Sequence, residues 1–364
     1  MLSTRMDGRC GIASYTKYLN DELGKLGVDI NPIFVEPYRR DPLYYLRLAI
    51  RMGKMCDIAH IQFAYPFLGR LGPMTGIYIP LFYAFIWMLS HLFSFRVMTT
   101  MHNIWEERNP PKFRRLGSIY TSIVNKCVFR FSSCLIVLSE SARDMLLRQG
   151  VSESKILVIP HGSKRPSLKV KKDCKVKIGL DPNKTVVTIF GYVKREKGHD
   201  LLVEAGRYIG NGAVLLIAGD DRAHDLKERK GYLEELKVVA TDRTIFCGFV
   251  EENEVPLVLN ATDIMVLPYR EVRQSGVLNW SLAYKIPTIT SDLPYFREIQ
   301  RKYSCIRLFE SGNVHSLVGA IRAVLNDEKL RGAMSRACEG YAEKNSFERA
   351  ARATTSTYMT SLRR

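Results

Sequence analysis

Eight cysteines occur in 364 residues, and no two of them form a CxxC pair. That spacing excludes the common zinc fingers and ribbons. Cys10, Cys56, Cys127, Cys134, Cys174, Cys247, Cys305 and Cys338 are scattered, several inside apolar runs where a free thiol behaves as a small buried hydrophobe. The pattern is that of a reduced, cytoplasmic chain. The opening MLSTRMDGRC has no apolar h-region, so no signal peptide is expected. Carboxylates are scarce: 37 Asp and Glu stand against 54 Lys and Arg, a formal charge of +17. Such a balance favours phosphate-bearing substrates, nucleic acid or an anionic membrane surface, or else describes a solvated basic face. No helix-turn-helix or aromatic-rich binding sheet is present in the sequence, so nucleic acid is not an expected partner. There is no internal repeat and no low-complexity tract. A long uninterrupted apolar run is missing too. GIYIPLFYAFIWMLSHLFSF at 76–95 has the ~20 residues a bilayer span needs, but Pro80, Ser90, His91 and Ser94 interrupt it. It reads as a buried or surface-docking helix. Its aromatics, with the basic KFRR at 112–115, suit peripheral docking on an anionic membrane.

What is present is a rhythm. Ile12, Tyr15, Leu19, Leu23 and Leu26 recur at three and four spacing, one buried face of a helix. Short apolar runs of strand type follow at 30–35, 58–63, 96–101, 134–138 and 156–159, separated by helix-compatible segments. Strand alternating with helix predicts a parallel sheet with right-handed crossovers. The basic stretch KRPSLKVKKDCKVK at 164–177 lacks helical periodicity and holds a proline, so it reads as a linker. The rhythm then restarts at 185–190, 214–218, 244–249, 263–267, 287–290 and 305–308. The fold class is therefore α/β, two doubly wound Rossmann-like domains at 1–165 and 166–345 facing a cleft at the carboxyl ends of their strands. Residues 346–364 carry a closing helix whose contacts are expected at Phe347, Ala351, Tyr358 and Leu362. Only Met1, Leu2 and Ser3 precede the first glycine-containing loop, so either the first strand is very short or the start is internal.

Two loops hold candidate chemistry. Gly191-Tyr-Val-Lys-Arg-Glu-Lys-Gly198 follows a strand and precedes a helix, and its glycines bracket three cations. Such a turn holds a diphosphate through Lys and Arg side chains and backbone N–H groups, or is simply a solvated basic turn. The stretch PYREVRQSGVLNWSLAYKIP at 268–287 crosses from one strand into a helix. Ser275 is a good N-cap, Gly276 permits close approach to the backbone, and the helix N-terminus favours an anion. An ordinary strand-to-helix turn is the alternative.

These stretches together resemble the retaining glycosyltransferases of family 4, with their two-Rossmann GT-B fold. The turn at 191–198 resembles the family's G-x-x-x-x-x-K-G, and VLLIAG at 214–219 the strand after it. FCGFV at 246–250 resembles the nucleotide-side glycine motif, and DIMVLPY at 263–269 the strand leading into the donor loop. RCGIASY at 9–15, VMTTMH at 97–102, IVLSE at 136–140, IPHG at 159–162 and SFE at 346–348 resemble the family's N-terminal loop, acceptor-side strand, last motifs before the linker and closing helix. The likeness runs from residue 8 to 362. It implies that Lys197 binds the donor diphosphate, with Lys194 or Arg195 as a second cation because Tyr192 stands where the family commonly has Arg. It implies that Ser275, Gly276 and Val277 cradle the terminal phosphate, that Gly11 and Ile12 approach the same phosphate, and that Gly248 belongs to the nucleotide side. His102 would sit near the transferred sugar or the acceptor; His60 and His161 read as structural. Typical members carry a Glu-x7-Glu pair. Here the second position is Trp280 and the first is Val272, one residue from Glu271, a shifted sugar contact. Lys285 stands where the family usually has Gly, and Glu298 is a candidate for orienting the loop or the donor.

The implied activity is transfer of a hexose from a nucleotide diphosphate sugar to a glycan or lipid-linked acceptor, with retained anomeric configuration by front-face displacement. The donor is a substrate; no metal and no cofactor is expected, since no DxD occurs and Asp220-Asp221 is only a short acidic pair. The competing expectation is a non-catalytic sugar-nucleotide or glycan-binding protein that lost activity with its glutamate.

Overall fold

The computed structural model describes residues 1–4, 11–36, 41–65, 78–104, 114–221, 231–272 and 274–363, with the backbone alone at 114–118. The chain forms two compact units, Met1–Gly162 with Phe347–Arg364, and Ser163–Ser346. In the first unit, strands β1 (Leu2–Ser3), β2 (Ile33–Phe34), β3 (Ile58–Phe63), β4 (Arg96–Met101), β5 (Cys134–Val137) and β6 (Ile156–Val158) make one parallel sheet in the order β2-β1-β3-β4-β5-β6. In the second, β7 (Thr185–Phe190), β8 (Ala213–Ala218), β9 (Thr244–Gly248), β10 (Ile264–Leu267), β11 (Thr288–Ser291) and β12 (Ile306–Phe309) make another, ordered β12-β11-β10-β7-β8-β9. The central strands β3, β4, β7, β8, β10 and β11 are buried almost along their whole length. That is why their apolar runs are continuous rather than alternating.

In the second sheet the strand order reverses between β7 and β10, which pair directly through Ile264–Val187 and Met265–Thr188. The carboxyl ends of strands flanking such a reversal are where ligands bind. The turn at 191–198 leaves β7 and the loop at 268–275 leaves β10, so this topology brings together two segments far apart in sequence. In the first sheet, β1 is only two residues long yet lies between β2 and β3.

The Gly11–Lys25 helix buries Tyr15, Leu19 and Leu23 of its expected face, with Ile12 and Leu26 partly buried. The closing helix, Phe347–Leu362, packs against it and buries Phe347, Ala350, Ala351, Thr354 and Tyr358. Leu362 departs from expectation: at 49% exposure it lies in the final turn, past the packed face. A Cβ on Gly162 would lie 2.6 Å from the Phe347 Cα, so this close approach requires glycine. The apolar segment at 76–95 gives the Tyr78–Leu92 helix, buried along Tyr78, Ile79, Phe82, Tyr83, Ile86 and Leu89. Among the described residues no helix is long and apolar enough to cross a membrane. The basic side chains at 112–115 lie outside the described residues.

The expected linker at 164–177 is corrected. Its second half is a helix, Lys171–Lys177, with Cys174 and Lys175 buried. The sequence hides this helix because one of its inward residues is a lysine. Lys175 Nζ lies 2.6 Å from Asp263 Oδ2 and donates to the Lys184 carbonyl at 2.8 Å. Lys171 Nζ reaches Asp263 Oδ1 at 2.9 Å, and the Val186 N–H donates to Oδ2 at 2.8 Å. Burial pushes the Asp263 carboxyl up, but Lys171, Lys175 and the Val186 N–H outweigh it and hold it below the usual carboxylate range. Asp263→Asn leaves Lys175 buried without its anion and should destabilise the chain by about 3 kcal/mol in denaturant unfolding at pH 7.

Candidate active site

The turn after β7 is shaped by its two glycines. Gly191 has φ +100°, and a Cβ there would lie 2.7 Å from Lys197 Nζ and 3.6 Å from Val277 Cγ2. The ammonium of Lys197 therefore lies over the Gly191 backbone, beside the first turn of the Gly276–Ala283 helix. It also lies 5.7 Å from the ring centroid of Tyr269. Gly198, φ +68°, ends the turn where a Cβ would meet the Pro268 carbonyl oxygen at 2.0 Å. Both glycines are thus required by geometry, and the turn and the 268–275 loop are in backbone contact.

Arg270 fastens that contact. Its N–H donates to the Glu196 carbonyl at 2.8 Å and its Nη1 to the Arg195 carbonyl at 2.7 Å. Its guanidinium also grips both oxygens of Asp200, at 2.8 and 2.7 Å. The Tyr232 hydroxyl donates to Asp200 Oδ1 at 2.7 Å. Burial pushes the Asp200 carboxyl up, yet the Arg270 and Tyr232 hydrogen bonds outweigh it and hold it low. A bidentate charge-assisted pair of this kind is both strong and directional.

On the other side, Ser275 caps the helix as expected, its Oγ accepting from the Leu278 N–H at 3.1 Å. The N–H groups of Gly276 and Val277 belong to the first turn, where a helix offers no internal acceptor. The helix dipole adds a partial positive charge there. An ammonium, the N–H groups of a first helical turn and a glycine floor are the kind of surroundings that suit a phosphate.

The remaining expected residues divide. Arg195 turns to the Tyr232–Val239 helix, 2.5 Å from Glu235 and 4.5 Å over the Tyr232 ring. Lys194 Nζ lies 3.8 Å from Glu196. Gly248, φ +73°, ends β9 and bridges to Gly219, whose own missing Cβ would strike the Gly191 carbonyl at 2.2 Å. Glu271 is exposed in the loop, while neighbouring Val272 packs into the core. Trp280 is half-buried, edge-on to Phe190 at 5.7 Å. Lys285 pairs with Glu339 at 2.6 Å. Among the described residues no group of three or more His, Cys, Asp or Glu side chains gathers around a point that could hold a metal ion.

Some residues here have no signal in the sequence. The Arg270–Asp200 clamp joins residues 70 apart. Gln274 Oε1, Asn279 Nδ2 and His199 Nε2 are buried with no partner, and all three lie at or beside the two loops. Buried polar atoms without partners are rare and favour a ligand or water as the missing partner.

In the first unit, Gly11 is exposed at the start of its helix with open space around it, and the Ile12 carbonyl accepts from Thr16 Oγ1 at 2.7 Å. His102 follows β4 and is buried. Its Nε2 meets Gln62 Oε1 at 2.8 Å, and its Nδ1 has no partner. The Gln62 amide nitrogen faces His60 Nε2 at 3.3 Å, and His60 Nδ1 meets the Tyr358 hydroxyl at 2.5 Å. With Gln62 Oε1 accepting, His102 Nε2 carries the proton and Nδ1 keeps a lone pair. The Tyr15 ring stands edge-on at 4.8 Å. His60 and His161 are held inside the unit, His161 by the Gly162 carbonyl at 2.7 Å and by tilted ring contacts with Tyr15 and Phe347.

Burial lowers His60 and His102 to about 3, and His161 and His199 to about 4. These histidines are neutral in the folded chain at pH 7, so His102 can accept a hydrogen bond but holds no proton to give at Nδ1. The unfolded chain takes up protons near pH 6.5 while the folded chain does not. Stability is therefore lost as pH falls from about 6.5 toward 4, by up to about 1.4 kcal/mol per pH unit for each histidine. The melting temperature at pH 5 should lie well below that at pH 7.5 by calorimetry; equal values would contradict this burial.

Two parallel doubly wound sheets flanked by helices are the GT-B architecture. The comparisons agree. Residues 11–163 match the model of Glycosyltransferase Family 4, and residues 170–340 that of Glycosyl transferases group 1. The chain belongs to this glycosyltransferase family and is a transferase. It is 27% identical over 255 residues to the UDP-Gal:alpha-D-GlcNAc-diphosphoundecaprenol alpha-1,3-galactosyltransferase of Escherichia coli, covering 66% of this chain and 63% of that relative. The structure resembles HepE of Anabaena in complex with UDP and glucose (TM-score 0.75, 12% identity, 99% and 98% of the two chains). It also resembles the sucrose-phosphate synthase of Thermosynechococcus elongatus (TM-score 0.76, 16% identity, 99% and 97%).

Proposed function

We propose that the protein moves a hexose from a UDP-hexose to a glycan carried on a polyprenyl diphosphate, with retention of anomeric configuration. The observation that carries this reading is Lys197 Nζ over Gly191, beside the N–H groups of Gly276 and Val277. A donor diphosphate placed there meets a charge, two backbone donors and the helix dipole at once. The acceptor oxygen bonds to the sugar C1 on the face from which the diphosphate departs. The C1–O bond to the diphosphate breaks, and the acceptor proton leaves with the phosphate oxygen. Negative charge grows on that oxygen, where prearranged donors lower the barrier most. Lys194 or Arg195 supplies the second phosphate cation; each lies near a glutamate, Lys194 at 3.8 Å from Glu196 and Arg195 at 2.5 Å from Glu235. Glu271 contacts the sugar, Gly248 lines the nucleotide side, and His102 Nδ1 accepts from a sugar or acceptor hydroxyl. Trp280 replaces a carboxylate contact with an apolar wall.

The base and lipid carrier are supported by the Escherichia coli relative, whose name gives UDP-Gal and diphosphoundecaprenol, and by the UDP held by HepE. A lipid-linked acceptor places the protein at a membrane as a peripheral partner. A thermal-shift panel of UDP-, GDP-, ADP- and dTDP-hexoses tests the donor, because a ligand bound only by the folded state raises its stability. A UDP-hexose should raise the melting temperature most and be consumed with an acceptor present. No shift with any nucleotide sugar would refute the reading.

A further inference from the structure

A second cationic site lies in the first unit, at the opposite end of β4 from His102. A cavity of about 500 Å³ opens at the amino ends of β4 and β5, lined among others by Trp87, His91, Arg96, Arg130, Lys155 and Leu362. Arg96 and His102 are separated by the length of one strand, roughly 20 Å, so this cavity is distinct from the surroundings of His102.

The cations come from three elements: the start of β4, the last turn of the Arg114–Phe131 helix, and the turn before β6. Among the described residues no carboxylate lines the cavity. Among the described residues Arg96, Arg130 and Lys155 form no ion pair, and Glu153, the acid nearest to Lys155 in sequence, is taken by Arg143. Lys155 Nζ is pinned by the Phe129 carbonyl at 3.0 Å. Burial, and then the neighbouring Arg130, press the Lys155 ammonium below its ordinary range. Gathering like charges without an anion costs stability unless an anion joins them.

Beside the cavity is an apolar shelf. Trp87, Met88, Leu92 and Phe93 are 39%, 52%, 72% and 40% exposed on the end of the Tyr78–Leu92 helix and the turn after it. Trp87 leans on Phe131 at 5.3 Å, which holds the indole at the mouth. Cations that match a phosphate, next to exposed Trp, Leu, Phe and Met, suit the boundary between lipid headgroups and acyl chains.

We propose that this cavity binds the phosphate of an anionic phospholipid, with the Trp87–Phe93 shelf seated in the bilayer interface. The proposal deepens the reading of a lipid-linked acceptor by naming the surface that holds the protein at the membrane.

The test is co-sedimentation of the full chain with vesicles of phosphatidylcholine alone or with phosphatidylglycerol added. Wild type should bind the phosphatidylglycerol vesicles and bind the neutral ones weakly. R96E/R130E should weaken binding at least about 10-fold, from the attraction each surface cation contributes. L92S, at an exposed position, should also weaken it. K329E/K344E makes the same change in net charge on exposed residues of the second unit and should leave binding unchanged. Equal binding to both vesicle types, or equal losses in the two double variants, would overturn the proposal. So would competition by free glycerol phosphate with no vesicle binding. Transfer to a detergent-solubilised acceptor separates the two readings. R96E/R130E should keep wild-type turnover there. Transfer by a wild type that ignores vesicles would sink the docking site alone.

Discussion

Lys197→Ala should lower the rate of sugar transfer by about 10²–10³-fold, the usual cost of removing one prearranged donor to developing negative charge. The melting temperature of the free chain should stay close to that of wild type. The structure gives the reason for both halves. Lys197 Nζ lies over the Gly191 backbone, 2.7 Å from where a Cβ would stand, and beside the first turn of the Gly276–Ala283 helix. The turn is shaped by its glycines, by Arg270 and by the Lys197 backbone N–H, which donates to the Lys194 carbonyl at 3.0 Å, and Lys197→Ala keeps all of these. Lys197→Arg should recover only part of the loss, because a planar guanidinium is not a compact point charge. Steady-state kinetics with melting in parallel is the check, and unchanged turnover in Lys197→Ala would remove this residue from the phosphate site.

Gly198→Ala should damage the fold and donor binding together. At φ +68° the backbone alone costs an L side chain about 1–2 kcal/mol. The added Cβ would stand 2.0 Å from the Pro268 carbonyl oxygen, a backbone atom that cannot step aside without moving the 268–275 loop. A total above about 3 kcal/mol should lower the melting temperature by roughly 6–12 °C for a unit of this size. Donor affinity should fall with it, since the same loop carries the helix N-terminus. Gly212→Ala is the control: a Cβ there has nothing within 4 Å, and melting should barely move. A stable Gly198→Ala chain with normal donor binding would mean that the two loops are not in the contact described here.

The fold was legible because its signals are local and repeated. Continuous apolar runs marked the buried strands, and the three-and-four spacing of Tyr15, Leu19 and Leu23 marked the first helix. Ser275 could be read as a cap because a cap is made by residues three apart. The Lys171–Lys177 helix was not legible, since its buried Lys175 faces Asp263, far along the chain. The overreach at Leu362 has the same origin: spacing marks a face, but not where the packed surface ends. Within the site, the turn at 191–198 announced its cations but not their directions. Only tertiary structure sends Arg195 to Glu235 and Lys197 to the helix. The Arg270–Asp200 clamp and the orphaned Nδ1 of His102 are likewise products of topology, not of spacing.

The cradle made by Lys197, Gly191 and the Gly276–Val277 N–H groups should recognise a diphosphate. Calorimetric titration of the full chain with UDP and with UMP, repeated on Lys197→Ala, tests it most directly. Wild type should bind UDP at least about 30-fold more tightly than UMP, the worth of charge-assisted hydrogen bonds to one more phosphate. That ratio should shrink to a few-fold in Lys197→Ala. Equal binding of UDP and UMP by wild type, or a ratio that survives the substitution, would mean that Lys197 and the helix N-terminus do not hold the second phosphate.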